Sequence, residues 1–273
     1  MSIRLRTLRT LSEEQLARFE TDGYLLVKGL FSEENVRDME NTFEEISRKR
    51  VPGYFEPDLD GKSDDPLKRY PRVMHPHRFN ETAMKYMLHK PVMSVLADLY
   101  GEEALAAQSM FYYKPPGSRG QALHQDNFYL QVEPGNCIAA WTAVDAASEE
   151  NGGLLVVPRT GDYALACPDM ADSSESFTNH YVKPPKDEKA IPVIMDKGDV
   201  LFFNGNLIHG SYRNKTKDRF RRAFICHYAN ASAIRINGGY RPLYREDGTP
   251  VDLEANPNGG PCGIEFPGTP YHH

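Results

Sequence analysis

His124 and Asp126 stand two residues apart in Leu123-His124-Gln125-Asp126-Asn127. In an extended strand, side chains at i and i+2 leave the same face, so this spacing predicts an imidazole and a carboxylate aimed at one point. His209, in Leu207-Ile208-His209-Gly210-Ser211, is the candidate third ligand, brought in from a distant strand. Two imidazoles and one carboxylate suit ferrous iron and leave coordination positions open for other molecules. To bind, each histidine must be neutral and the aspartate ionised. The plainer reading makes His124 and Asp126 a surface pair and His209 a strand-end histidine hydrogen-bonded to backbone.

The segment Arg213 to Arg222 is dense in positive charge and runs straight into the apolar Ala223-Phe224-Ile225-Cys226. Such a run is usually a solvated hairpin. An arginine at the junction can instead turn inward, where its planar fork grips a carboxylate with two parallel hydrogen bonds, which a lysine cannot do. His75-Pro76-His77 repeats the i, i+2 spacing but precedes a helix rather than lying among strands, which argues against a metal site there. Lys114 and Arg119 flank the expected mouth of the site; as loop charges they are expected to be solvated. Gln125 should face away from His124 and serve the fold, while Gln108 and Asn127 have the chemistry to orient ligands.

These side chains need a frame. Ser12-Glu13-Glu14-Gln15 reads as a capping box opening a helix that Asp22-Gly23 stops. Ser32-Glu33-Glu34 opens a second, with Val36, Met39, Phe43 and Ile46 at helical spacing and Lys49-Arg50 at its end. Tyr24 to Leu30 has strand length between them. Residues 51–72 form a long loop rich in Pro, Gly and Asp, of the kind that serves as a lid or stays a surface excursion. Glu81 to Tyr100 is helical in pattern, with two helices meeting at Pro91.

From residue 104 the runs become short and β-rich: Ala106–Tyr113, Leu123–Gln131, Cys137–Val144, Leu154–Val157, Ala190–Met195, Asp199–Phe203 and Arg222–Ala229. Turn residues such as Asn151-Gly152-Gly153 and Lys197-Gly198-Asp199 separate them. Short strands without alternating helices predict a mainly β fold with flanking helices, a jelly roll or double-stranded β-helix of the cupin-like kind. One domain over 1–273 is expected: a helical part at 1–103, the jelly-roll core at 104–230, and an irregular tail at 231–273.

Hydrophobic content of 40% and charged content of 26% are those of an ordinary globular chain. The net charge of −6 disfavours a nucleic-acid partner. No apolar run approaches ~18 residues, so no membrane span is expected, and the basic start Met1 to Arg9 lacks the apolar stretch of a secretory signal. Cys137, Cys167, Cys226 and Cys262 form no Cys-x-x-Cys pair; free thiols in a reducing compartment, the cytoplasm by default, are expected.

Several segments together resemble the phytanoyl-CoA dioxygenase family. They are Lys114-Pro115-Pro116, His124-Gln125-Asp126, Ala140-Trp141-Thr142, Asn151-Gly152, Lys197-Gly198-Asp199-Val200-Leu201-Phe202-Phe203, His209-Gly210-Ser211, Asn214-Lys215-Thr216, Phe220-Arg221-Arg222-Ala223 and Cys226-His227-Tyr228-Ala229. They cover about residues 105–230 in family order. The resemblance implies an iron(II)- and 2-oxoglutarate-dependent dioxygenase that hydroxylates a small molecule with dioxygen, releasing succinate and carbon dioxide. It assigns His124, Asp126 and His209 to iron, and Arg221, with Ser211 beside it, to the distal carboxylate of 2-oxoglutarate. Met110 and Trp141 match residues lining the cosubstrate pocket, and His75 falls where the family has a polar contact to it. Asp126 occupies the position that halogenating relatives leave open for chloride. The loop 51–72 and the tail depart from the phytanoyl-CoA enzyme, so an acyl-CoA substrate does not carry over. Desaturation or ring closure at the same site, and a non-enzymatic jelly-roll protein binding a metal or ligand, are the alternative outcomes.

Overall fold

The caps predicted from Ser12 and Ser32 are both made. In the computed structural model, which describes residues 9–60, 63–256 and 261–263, Ser12 Oγ accepts from Gln15 N while the Gln15 side chain accepts from Ser12 N. Helix α1 (Glu13–Asp22) ends at Gly23, whose φ of 81° is the left-handed conformation a helix stop favours. Helix α2 (Glu33–Lys49) buries Val36, Met39, Phe43 and Ile46. A single turn, α3 (Pro66–Arg69), lies in the long loop; α4 (Glu81–Met87) and α5 (Lys90–Tyr100) follow, with Pro91 in the first turn of α5, where its missing N–H costs nothing. The basic residues 1–8 and the last ten residues lie outside the described residues.

The strands are β1 (Tyr24–Val27), β2 (Val73–Met74), β3 (Ala104–Tyr112), β4 (Gln121–His124), β5 (Cys137–Ala143), β6 (Leu154–Val156), β7 (Asp169–Met170), β8 (His180–Tyr181), β9 (Ile191–Pro192) and β10 (Val200–Asn204). After them come β11 (His209–Ser211), β12 (Ala223–Asn230), β13 (Arg235–Ile236), β14 (Leu243–Tyr244), β15 (Pro250–Val251) and β16 (Glu254–Ala255). An eight-stranded sheet runs β1-β10-β5-β12-β3-β14-β15, with β2 also on β3; a four-stranded sheet runs β4-β11-β6-β9. This is the mainly β, double-stranded β-helix architecture with helices outside it.

Strand alternation sorts the large sheet's two faces. Phe202, Phe224, Cys226, Tyr228, Ile138 and Ala140 pack outward against the helices. Their neighbours Leu201, Phe203, Ile225, Ala139 and Trp141 face the small sheet. The pairing of β12 with β3 slips between His227 and Tyr228, so that His227 faces Gln108 while Tyr228 faces Ala106. The extra residue, Ala107, flips the phase of β3: Ala106 packs under the helices, whereas Gln108 reaches the inner cavity.

Three expectations are corrected. The segment Leu123–Gln131 is not one strand: β4 ends at His124 and a helical turn, α6 (Asn127–Leu130), follows. The tail carries regular pieces, because Tyr240 and Leu243 extend the buried core; β14 joins the large sheet at Tyr244 opposite Ala106, and β13 pairs with β16. Finally, Cys167 and Cys262 are disulfide-bonded, while Cys137 and Cys226 are buried free thiols. The two bonded cysteines lie 95 residues apart, and only the folding of the tail against the loop after β6 brings them together, which spacing cannot reveal. No helix among the described residues is long and apolar enough to cross a membrane.

Candidate metal centre and its cavity

His124 closes β4 and His209 opens β11, and the two are direct partners across the antiparallel ladder. Their ring centroids are 4.2 Å apart. Asp126 reaches them by a route the i, i+2 argument did not foresee. Its φ of −66° and ψ of −35° are helical, because the chain turns into α6, with Asn127 N donating to Gly205 O and Tyr129 N to Asp126 O. The carboxylate thereby folds back to 3.4 Å from His124 Nε2 and 3.6 Å from His209 Nε2. One ligand atom from each of the three buried residues lies within 4.8 Å of the others. Gln125 points away, donating to Ala164 O and Asn206 O and accepting from Ala166 N.

The donor set fits a divalent metal. His124 Nδ1 lies 2.9 Å from Ala122 O and His209 Nδ1 3.0 Å from Leu207 O. A carbonyl accepts only, so each Nδ1 carries the proton and each Nε2 offers its lone pair. Burial pushes His209 down to about 4 despite the pull of Asp126, so its ring is neutral near pH 7. Burial alone would raise Asp126; the imidazoles of His209 and His227, together with the hydrogen bond donated by His227, outweigh it and hold the carboxyl well below its usual range. Gln121 Nε2 lies 3.0 Å from His124 Nε2, on the lone pair a metal would take, so this amide must swing aside when an ion binds.

Next to the triad lies a cavity of about 50 Å³, whose lining includes Met110, Trp141, Ser211 and Arg221. Arg221 is 1% exposed. Its Nε donates to Gly152 O at 3.0 Å, its guanidinium sits 5.0 Å from the Trp141 ring, and its Nη1 is buried with no partner. Burial lowers its pKa to about 10, so it stays charged at neutral pH. No ion pair to a carboxylate is formed by its guanidinium among the described residues, and its one side-chain hydrogen bond is that to Gly152. A buried cation with an idle N–H calls for an anionic ligand. The residues present therefore fit both a metal and a carboxylate-bearing cosubstrate. A second cavity of about 490 Å³ lies beyond Tyr112 and Arg221, walled by Arg72, Phe177 and the loop 51–72.

His75 is not brought to the metal cavity. Its ring packs 6.0 Å from Tyr240, which does line it. Lys114 is no solvated charge: it is 2% exposed, with Nζ donating to Ser211 Oγ at 2.8 Å. Arg119 pairs with Asp65 at the loop. Among the side chains in the site that lacked a sequence-based role are His227 and Tyr240. His227 Nε2 lies 2.8 Å from Asp126 Oδ2, and alternation from Ala223 and Ile225 would have turned it inward. Tyr240 comes from the tail, where no periodicity marks it.

Comparison with known proteins gives matches over most of the chain. The family profile described as phytanoyl-CoA dioxygenase (PhyH) matches residues 19–223. Phytanoyl-CoA dioxygenase, peroxisomal, of Bos taurus is 30% identical over 245 residues, covering 85% of this chain and 72% of the relative. Methylphosphonate hydroxylase of Gimesia maris is 27% identical over 257 residues, covering 92% of each. Among solved structures, EctD from S. alaskensis with 2-oxoglutarate and 5-hydroxyectoine superposes with a TM-score of 0.66 at 20% identity, over 96% of this chain and 89% of that one. The epimerase SnoN, in complex with Fe3+, alpha ketoglutarate and nogalamycin RO, gives 0.65 at 21%, over 84% and 86%. These two likenesses speak to the fold.

Proposed function

The chain belongs to the phytanoyl-CoA dioxygenase family, and from that premise we propose that His124, Asp126 and His209 hold its ferrous ion beside a 2-oxoglutarate site. The protein is an iron(II)- and 2-oxoglutarate-dependent oxygenase, which sets aside the non-enzymatic alternative. The observation that carries the site assignment is the convergence of two imidazole nitrogens and one carboxylate beside a buried arginine whose Nη1 has no partner.

Bound iron and 2-oxoglutarate supply oxidation by dioxygen, with succinate and carbon dioxide released. The chain's own residues do the rest. Backbone carbonyls at Ala122 and Leu207 fix the two imidazoles in the metal-binding tautomer. Arg221 grips the distal carboxylate of the cosubstrate, with Ser211 beside it. Trp141 and Met110 wall the carbon chain and exclude water. Tyr129, Tyr240 and Gln108 line the same cavity and face the substrate.

The reaction proposed is hydroxylation of a small molecule. Asp126 fills the carboxylate position that a halogenating site would leave open. A relative of matching length, methylphosphonate hydroxylase, bears a small-substrate name, which supports the same reading. Residues 1–273 are proposed to form one domain: the helices of the first hundred residues and the outer face of the large sheet share a single apolar cluster. The proposed location is the cytoplasm. A reducing cytosol would open the Cys167–Cys262 bond, which the mass of alkylated protein taken from cells reports.

The test is anaerobic addition of ferrous iron and 2-oxoglutarate, which should give a weak visible charge-transfer band, followed by a screen of small substrates for stimulated succinate release. No band in the intact protein overturns the assignment. Product analysis separates hydroxylation from desaturation or ring closure.

A further inference from the structure

We propose that Lys114 is a positioning residue for the cosubstrate: acting through Ser211, it completes the seat for a second carboxylate at Arg221 and so selects a 2-oxo diacid over 2-oxo monoacids. The inference rests on the iron and 2-oxoglutarate reading above.

The hydrogen-bond count at Ser211 is its starting point. Ser211 Oγ accepts from Lys114 Nζ at 2.8 Å and from Gln121 N at 3.2 Å. A hydroxyl oxygen has two lone pairs, so both are taken and the hydroxyl hydrogen is left to donate. Ser211 and Arg221 line the same cavity. A carboxylate at the idle Nη1 of Arg221 therefore meets a second, oriented donor, polarised by the ammonium behind it.

The placement of Lys114 is held from several sides. Its φ of 35° is unusual for a residue with a side chain. Its carbonyl accepts from Arg221 N and from Asn214 Nδ2, both at 3.1 Å. Its stem lies over Gly152, where a Cβ would come within 2.7 Å of Lys114 Cε. Gly152 O is also the acceptor for Arg221 Nε. Lys114-Pro115-Pro116, Asn151-Gly152, Asn214-Lys215-Thr216 and Arg221 thus meet around one lysine.

Its charge has no counterpart among the described residues. No carboxylate among the described residues lies within 4.0 Å of Lys114, and Arg221 shares with it a wall of the larger cavity. Burial, and then Arg221, push the Lys114 ammonium well below its usual pKa. An arriving carboxylate supplies the missing negative charge. A 2-oxo monoacid brings none to this end of the cavity.

The experiment compares Lys114→Met, Ser211→Ala and the double variant with the wild type, each loaded with Mn(II) and titrated anaerobically by calorimetry with 2-oxoglutarate and with 2-oxobutyrate. Lys114→Met should weaken 2-oxoglutarate at least about ten-fold, the size of one charge-assisted contact, and 2-oxobutyrate less than about two-fold. The double variant should lose no more than the larger single loss, because the lysine acts through the serine. Equal losses for both acids, no loss, or additive losses overturn the proposal. If Lys114→Met fails to fold by circular dichroism, Ser211→Ala carries the same diacid-to-monoacid comparison. A wild type that binds neither acid refutes the cosubstrate reading itself; a wild type that binds 2-oxoglutarate while the variants bind it equally well refutes only the role of Lys114.

Discussion

His227 Nε2 lies 2.8 Å from Asp126 Oδ2, the carboxylate oxygen that stands 3.6 Å from His209 Nε2. A carboxylate accepts only, so His227 donates and holds the group at one rotation, leaving Oδ1 on the His124 side. Replacing His227 by Phe keeps the ring volume and removes the donor. Metal affinity should fall roughly 10–100-fold, the usual effect of losing such a support, as measured by competition with a chelator in the absence of cosubstrate. Unchanged affinity would show that packing alone orients Asp126.

Loss of a ligand itself should be more severe. His124→Ala or Asp126→Ala is expected to remove iron-dependent succinate formation and to lower the iron retained after desalting. Either variant that keeps iron at the wild-type ratio removes its residue from the ligand set.

Arg221→Met tests the anion seat. Truncating one partner of a buried, hydrogen-bonded charge pair costs about 2–5 kcal/mol, so 2-oxoglutarate binding should weaken by that amount while metal binding persists. Anaerobic titration of the charge-transfer band reads both. A wild-type cosubstrate affinity in this variant would place the distal carboxylate elsewhere.

The metal-free protein should lose stability in acid through buried histidines. Burial lowers His77 to about 3 and His209 to about 4 in the folded chain, whereas an unfolded histidine titrates near ~6.5. Between those values the unfolded chain binds more protons, so stability is full above about pH 6.5 and falls as pH drops, by up to ~1.4 kcal/mol per pH unit for each group. Urea midpoints at pH 7.5 and 5 measure it. His77→Gln should flatten the dependence, and an unchanged slope would count His77 out.

The helix caps, the alternation of the large sheet and the convergence of His124, Asp126 and His209 were legible because each rests on local chemistry: Ser12 with Gln15, Phe224 against Ile225, a His-x-Asp beside a late histidine. The path of Asp126 was not, since strand and helical turn both bring residues near one another, and the hydrogen bond from Asn127 to Gly205 that decides between them spans distant sequence. Lys114 was misplaced as a solvated charge for a similar reason. Its burial depends on Ser211, Gly152 and Asn214, none of which is near it in the chain. The Cys167–Cys262 bond and the contribution of Tyr240 likewise arise only when the tail is folded back.

The pairing of His124 with His209 inside one ladder has a broader consequence. Their separation is set by the spacing between adjacent strands, not by any connecting segment. The long connections at 51–72 and between β6 and β9, which both wall the larger cavity, can thus lengthen, shorten or change character while the two imidazoles stay paired. Such a scaffold decouples the choice of what is oxidised from the machinery that oxidises it, and new substrates can be acquired by evolving the rim alone.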